Sequence, residues 1–172
     1  MIRTRPNPPS VTTRRGAIAG GLSLLLVMSF GEGCSKSYIP NTDVPDNAEN
    51  RKLISFCEQY RKAVARKDVA ELIRLASPDY YEDGGNVDAS DDIDYAGLQD
   101  YLMQRFQDAK SIRYEIRYRR VSRERDRIYI DYTFTSSWRI PVGNSEQWER
   151  KVDDNRLRLI EKGDSYLIVG GM

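Results

Sequence analysis

The spacing of apolar positions changes character four times along the chain. Residues 16–30 form one apolar run, and residues 35–50 are polar, carry Pro40 and Pro45, and show no apolar period. From Leu53 the apolar residues recur at helical intervals: Leu53, Phe56, Cys57, Tyr60 and Val64 fall on one stripe. Asp68 with Glu71 three residues later has the form of a capping box, so a second helix is predicted, carrying Leu72, Ile73 and Leu75 and stopped by Pro78. Tyr80 to Glu82 is short and β-prone, and an acidic loop follows from Asp83 to Asp94 with Gly84 and Gly85 in it. A third helix is expected from about Asp94, with Leu98, Tyr101, Leu102 and Phe106 on its apolar face.

Beyond that helix the period falls to two. Ile112, Tyr114, Ile116 and Tyr118 alternate with Arg113, Glu115, Arg117 and Arg119, and Ile128, Ile130, Tyr132, Phe134 and Trp138 repeat the pattern after a polar turn. Turns at residues 141–145 and 162–165 set off two more strands, around residues 148–160 and 166–169. Helices first and sequential strands afterwards, joined by short turns, predict an antiparallel sheet packed on helices, an α+β fold.

Length and composition narrow this further. A chain of 172 residues with 40% hydrophobic content can build one core, so a single domain is expected. There is no histidine, which removes Ser-His and Cys-His catalysis and His-ligated metals. Chemistry would have to use Asp, Glu, Tyr, Lys or Arg, and no cofactor or metal is expected.

The first 33 residues have the layout of an export signal: Arg3, Arg5, Arg14 and Arg15 precede the apolar run, and Gly31, Glu32 and Gly33 lead to Cys34. The run is shorter than the roughly 20 residues a spanning helix needs. Gly33 before Cys34 resembles the lipobox of bacterial lipoproteins, which implies cleavage before Cys34 and a lipid on it. Gly31 and Glu32 depart from that pattern. Arg14-Arg15 suggests the twin-arginine route, but the rest of that motif is absent, which favours the general pathway. Loss of four arginines and one glutamate with residues 1–33 leaves 23 basic and 25 acidic residues, a balance that gives no argument for nucleic acid. Cys57, on the first helical stripe, has no partner once Cys34 is acylated, so it is read as a small core residue and no disulfide is expected.

The element order, the run from Tyr60 to Asp68 and the final hairpin from Arg156 to Ile168 resemble the nuclear transport factor 2-like, or SnoaL-like, superfamily over roughly residues 50 to 170. The resemblance implies a cone: three N-terminal helices packed on a curved antiparallel sheet, with a pocket inside and frequently a homodimer through the sheet face. It implies little about function, because this fold hosts enzymes and binding modules alike.

Within that resemblance, Tyr60 and Asp83 match a ketosteroid-isomerase pair. The tyrosine there lies on the first helix, eight residues before the capping aspartate, and donates to an oxyanion; an aspartate ending the next strand is the base. Asp153 and Asp154 are near the place of a third residue, in uncertain register. The alternative, which the helical spacing of Tyr60 favours, is core packing for Tyr60 and a solvated loop at Asp83. Asn86, Asp88, Ser90, Asp92 and Asp94 place oxygens at every second position, yet without the glycine and distant glutamate of a calcium loop. Arg113, Arg117, Arg119, Arg120, Arg123, Arg125 and Arg127 form a ribbon that anionic headgroups or acidic polysaccharide could bind, though interleaved acids suit a salt-bridged outer face better.

The resulting expectation is a signal over 1–33, a lipidated Cys34 with a tether over 34–50, and one domain over 51–172. Ser35, in place of an aspartate after the cysteine, points to the outer membrane of the cell envelope. The domain is expected to act as a binding or assembly module, for an envelope protein or a small apolar ligand. The alternative is an isomerase or hydrolase that uses Tyr60 and Asp83.

Overall fold

The computed structural model describes residues 37–84, 89–107 and 109–172; the expected signal, the lipidation position Cys34, and Asn86 and Asp88 lie outside them. Helix α1 (Ala48–Arg66) starts at Asn47, whose side chain accepts the amide of Asn50, and ends at Lys67 in the left-handed region with φ 56°. Its predicted stripe is the buried one: Leu53, Phe56, Cys57 and Tyr60 are all 4% exposed or less. Helix α2 (Val69–Leu75) is capped as the sequence foretold, the Asp68 carboxylate accepting the amide of Glu71 at 3.0 Å. Helix α3 (Tyr95–Gln107) follows Asp94, which accepts the amide of Gly97 at 2.8 Å. Between α2 and α3, β1 (Tyr81–Glu82) pairs antiparallel with β2 (Ile93–Asp94), a strand too short to announce itself by alternation.

Four long strands make the main sheet, β3 (Ile112–Glu124), β4 (Arg127–Val142), β5 (Ser145–Lys162) and β6 (Ser165–Gly170), paired antiparallel in sequence order. Alternation places Tyr114, Tyr118, Ile128, Ile130, Tyr132, Leu157 and Leu159 on the helix side, where they meet α1 and α2 in one core. A bulge between Tyr118 and Arg120 shifts the β3–β4 register by one residue and turns Arg119 and Arg120 outward together. The β4–β5 hairpin runs further than expected, through Pro141 to a turn at Gly143. Because β6 pairs only with Arg158–Lys162, the β5 backbone over residues 145–154 has β4 as its one strand partner among the described residues.

The segment assigned to a tether differs from expectation. Over residues 37–47 the chain folds onto the domain: Tyr38 bridges Pro45, Val44 is 0% exposed, and the Asp43 amide donates to the Tyr118 carbonyl at 2.9 Å. Val44 in the core, a set of turn hydrogen bonds and the Arg117 and Arg119 guanidiniums on Asp43 hold it there. None of these produces a period that a sequence pattern would register. No helix among the described residues is long and apolar enough to cross a membrane.

Candidate functional site

The helices do not fill the sheet they cover. A cavity of about 870 Å³ remains between α1, α2, α3 and the C-terminal half of β4. Apolar and aromatic side chains make up its inner walls: Tyr60 and Val64 from α1, Leu72 from α2, Leu102 and Phe106 from α3, Ile112 and Tyr114 from β3, and Phe134, Trp138 and Ile140 from β4. Arg105, Lys151, Asp153, Asp154 and Asn155 are among the other lining residues, and all five are exposed. The lining as a whole exposes more polar than apolar surface, so the space is a mixed pocket, apolar within and polar towards solvent. The Lys151 ammonium is already engaged, 3.0 Å from Asp153 and lying over the Phe134 ring.

Three phenols converge at the inner end. Tyr60, Tyr114 and Tyr132 are 4%, 8% and 1% exposed. Burial, first, and the neighbouring phenols, second, push the Tyr60 and Tyr132 hydroxyls well above the ordinary tyrosine range, and burial raises Tyr114 too. All three are therefore neutral donors near pH 7. The three hydroxyls are close enough to shift one another's titration, yet that of Tyr132 is buried without a hydrogen bond of acceptable geometry.

Of the residues singled out in the sequence, Tyr60 lies on the cavity wall and Asp83 does not. Asp83 follows β1 at an exposed position, and its neighbour Gly84 is the lining residue instead. Asp153 and Asp154 do reach the lining, opposite Phe134 and Thr133 in register. By period alone Tyr114 and Tyr132 are inward strand positions and nothing more. The signal that could have marked them is chemical: both put a hydroxyl where alternation asks only for an apolar side chain. No group of three acidic or thiol side chains able to hold a metal occurs among the described residues. Cys57 is fully buried, and burial raises its thiol far above the ordinary range, so it is an inert core residue.

Arg113, Arg117, Arg119 and Arg120 of the arginine ribbon lie outside the cavity, on the opposite face of the sheet, whereas Arg123, past the bulge and opposite Ile128, is on the helix side; the ribbon is largely paired. Arg117 and Arg119 bracket Asp43 at 2.7 and 3.0 Å, Arg120 and Arg156 bracket Asp131 at 2.7 and 2.6 Å, and Arg123 meets Glu49 at 2.6 Å. The guanidiniums of Arg113 and Arg139 both lie over the Trp148 ring, 4.7 and 5.8 Å from its centroid. A broad hollow of about 1010 Å³ on this face, between Arg119, Asp131, Val152, Asp154 and Arg156, is shallow and floored by these paired charges. It is less enclosed than the inner cavity.

No family model matches the chain, and no curated protein matches it. Solved structures do. A proposed scytalone dehydratase from Novosphingobium aromaticivorans superposes with a TM-score of 0.59 at 7% identity, over 72% of this chain and 80% of its own. A proposed dehydratase of the nuclear transport factor 2-like family from Streptomyces avermitilis gives 0.56 at 10% identity, over 72% and 93%. A proposed calcium/calmodulin dependent protein kinase II association domain from Xanthomonas campestris gives 0.57 at 14% identity, over 79% and 90%. Identities this low carry fold and nothing further, and the fold is the nuclear transport factor 2-like cone, three helices on a curved antiparallel sheet.

Proposed function

We propose that this chain is a lipid-anchored cell-envelope protein, held at the outer membrane through Cys34, whose cone-shaped domain is a binding module for a small apolar ligand. The observation that carries the binding half is the cavity, about 870 Å³, whose inner part is made by apolar and aromatic side chains that leave it open rather than plug it. The alternative use of the domain, assembly on a protein partner, would not require that space. The names of the structural neighbours do not choose between uses, as two are named for dehydration and one for association.

The enzyme alternative draws support from Tyr60, which lines the cavity, but not from Asp83, which is exposed and outside the lining. A general base must come within hydrogen-bond reach of a substrate proton. Asp153 and Asp154 are the carboxylates that border the cavity, and Asp153 is committed to Lys151. A binding module accounts for this arrangement with fewer requirements.

The anchoring half rests on the sequence alone, on Gly33, Cys34 and Ser35 after the apolar run. Its test is metabolic labelling with a fatty acid: the wild type incorporates label and fractionates with the outer membrane, whereas Cys34→Ala does neither. An unlabelled wild type ends the anchor reading. For the cavity, 1,6-diphenylhexatriene should bind saturably with a rise in fluorescence, and Leu102→Trp, which puts bulk into the lining, should abolish it. A linear, non-saturating response would overturn the ligand reading.

A further inference from the structure

Most of the expected tether has joined the domain. From Ser37 onward the chain is held by hydrogen bonds: the Ser37 carbonyl accepts the Asp46 amide at 2.8 Å, the Ile39 amide donates to the Val44 carbonyl at 3.0 Å, and the Asn50 side chain donates to the Pro45 carbonyl at 2.9 Å. Only Ser35 and Lys36 stand between Cys34 and Ser37 in the sequence. That stretch of chain reaches about 11 Å at full extension, whereas a free tether over residues 35–50 would reach about 55 Å. A lipid on Cys34 would therefore hold this small hairpin close to the bilayer, at a range comparable with the Debye length of about 8 Å.

Charge on the adjoining face suits such a surface. Asp43, on the hairpin, is shared by Arg117 and Arg119 of β3, so two guanidiniums face one carboxylate. Asp131 is shared in the same way by Arg120 and Arg156. Each cluster by itself keeps one positive charge in excess, and the Arg117 and Arg120 side chains are 59% and 66% exposed. Tyr38, directly after Ser37, adds an exposed ring of the kind that settles at headgroup level. A second copy of the chain on this face would bring like charges together, whereas anionic headgroups would balance them.

Resting on the reading of Cys34 as lipidated, we infer that the domain lies on the leaflet that holds its lipid, in one orientation set by the short tether. Tyr38 meets the interface, and Arg117 and Arg119 meet anionic phospholipid headgroups. The cavity stays clear of this contact. Tyr132, opposite Tyr118 in register, and Trp138, on the cavity wall, are six residues apart on β4, which is about 20 Å of strand. Trp148 pairs with Arg139 at that same distant end.

The test couples the mature chain through Cys34 to a maleimide lipid in vesicles, which supplies the anchor whether or not cells acylate the cysteine. Cys57 is fully buried and does not compete for the maleimide. The vesicles are phosphatidylcholine, alone or with about one phosphatidylglycerol in three, with acyl chains brominated near the headgroup to quench nearby tryptophan. Trp138 and Trp148 should stay bright, and the tryptophan introduced by Tyr38→Trp should be quenched, more strongly with phosphatidylglycerol. Arg119→Gln should shift the balance of docked and undocked chain about fivefold toward undocked, the worth of one cation at such a surface, and Arg119→Lys should not. If the introduced tryptophan stays bright, or Trp138 and Trp148 are quenched in its place, the inference is wrong while the anchor reading, tested by fatty-acid labelling, stands. Quenching indifferent to both phosphatidylglycerol and Arg119→Gln would overturn it too, since the contact would owe nothing to charge. A dimer in sedimentation that Arg119→Gln dissociates would give the face to a second copy and likewise overturn it. An unlabelled wild type in cells removes the anchor reading and the inference with it, whatever the coupled chain does.

Discussion

The Tyr118 hydroxyl of β3 donates to the Glu58 carboxylate of α1 at 3.0 Å, across the seam where the first helix lies on the sheet. Glu58 also holds Arg61 at 2.8 Å, and Arg61 in turn reaches the Tyr114 carbonyl at 3.1 Å. One carboxylate therefore ties a helix to two places on the same strand. Glu58→Ala should cost about 1–3 kcal/mol, because it leaves a largely buried phenol unpaired and frees Arg61 as well. Urea unfolding checks this, and Tyr118→Phe in the Glu58→Ala background should recover part of the loss.

Tyr132→Phe makes the opposite prediction for the ligand-free protein. Removing a hydroxyl that has no partner should leave stability unchanged or raise it by up to about 1 kcal/mol. A thermal melt that drops by several degrees would mean that the hydroxyl is satisfied in solution.

Gly171 closes the chain against β5. Its φ of 90° suits glycine, and a Cβ there would overlap the Arg156 carbonyl oxygen, while its amide donates to Glu82 at 2.5 Å. Gly171→Ala must strain the backbone or displace the C-terminus from β5, at a cost of about 2 kcal/mol or more. A fall in the unfolding midpoint is the expected result, with Met172, a lining residue, moved from the cavity.

Acid and alkali should destabilise the domain for different reasons. The guanidinium of Arg156, and then that of Arg120, hold the Asp131 carboxyl below the ordinary range against the opposing effect of burial. A carboxylate lowered in the folded state contributes stability above its unfolded value of about 3.9, and that stability is lost as pH falls through the folded value. Melting temperature should therefore decline below about pH 4, and Asp131→Asn should flatten that decline. In alkali, burial pushes Tyr80 up to about 12, so its contribution is complete below the unfolded tyrosine value near 10 and disappears between there and 12. Tyr80→Phe should reduce the alkaline loss in the same titration.

What the sequence disclosed follows from the range over which each signal acts. The α1 stripe and the Asp68 cap are set by residues three or four apart, and the alternation of β3 and β4 by residues two apart, so both were legible. Val44 was not, because its burial depends on β3, whose Tyr118 lies 74 residues downstream. The cavity was anticipated only through resemblance to a fold, and its inner end was half seen. Tyr60 was singled out, but Tyr114 and Tyr132 looked like ordinary inward strand positions, since periodicity cannot tell a phenol from a phenyl ring. Asp83 shows the converse. Its place at the end of the strand after the second helix looked meaningful, yet an aspartate next to Gly84 takes its direction from the turn, and there it is exposed.

The bare edge of β5 has a consequence for how this protein behaves in a crowd. Over residues 145–154 one side of the strand has no strand partner among the described residues, and apart from the Asp154 amide, which donates to the Asp153 carboxylate, that edge is a template on which foreign strands stack into aggregates. Glu146, Glu149, Arg150, Lys151, Asp153 and Asp154 occupy six of those ten positions, against two large apolar side chains, Trp148 and Val152. They act as gatekeepers, since a stacked copy would have to bring its own charges against them. Colloidal stability at this edge is therefore electrostatic rather than steric, and high ionic strength, by screening the charges, should lower the concentration at which the protein begins to aggregate.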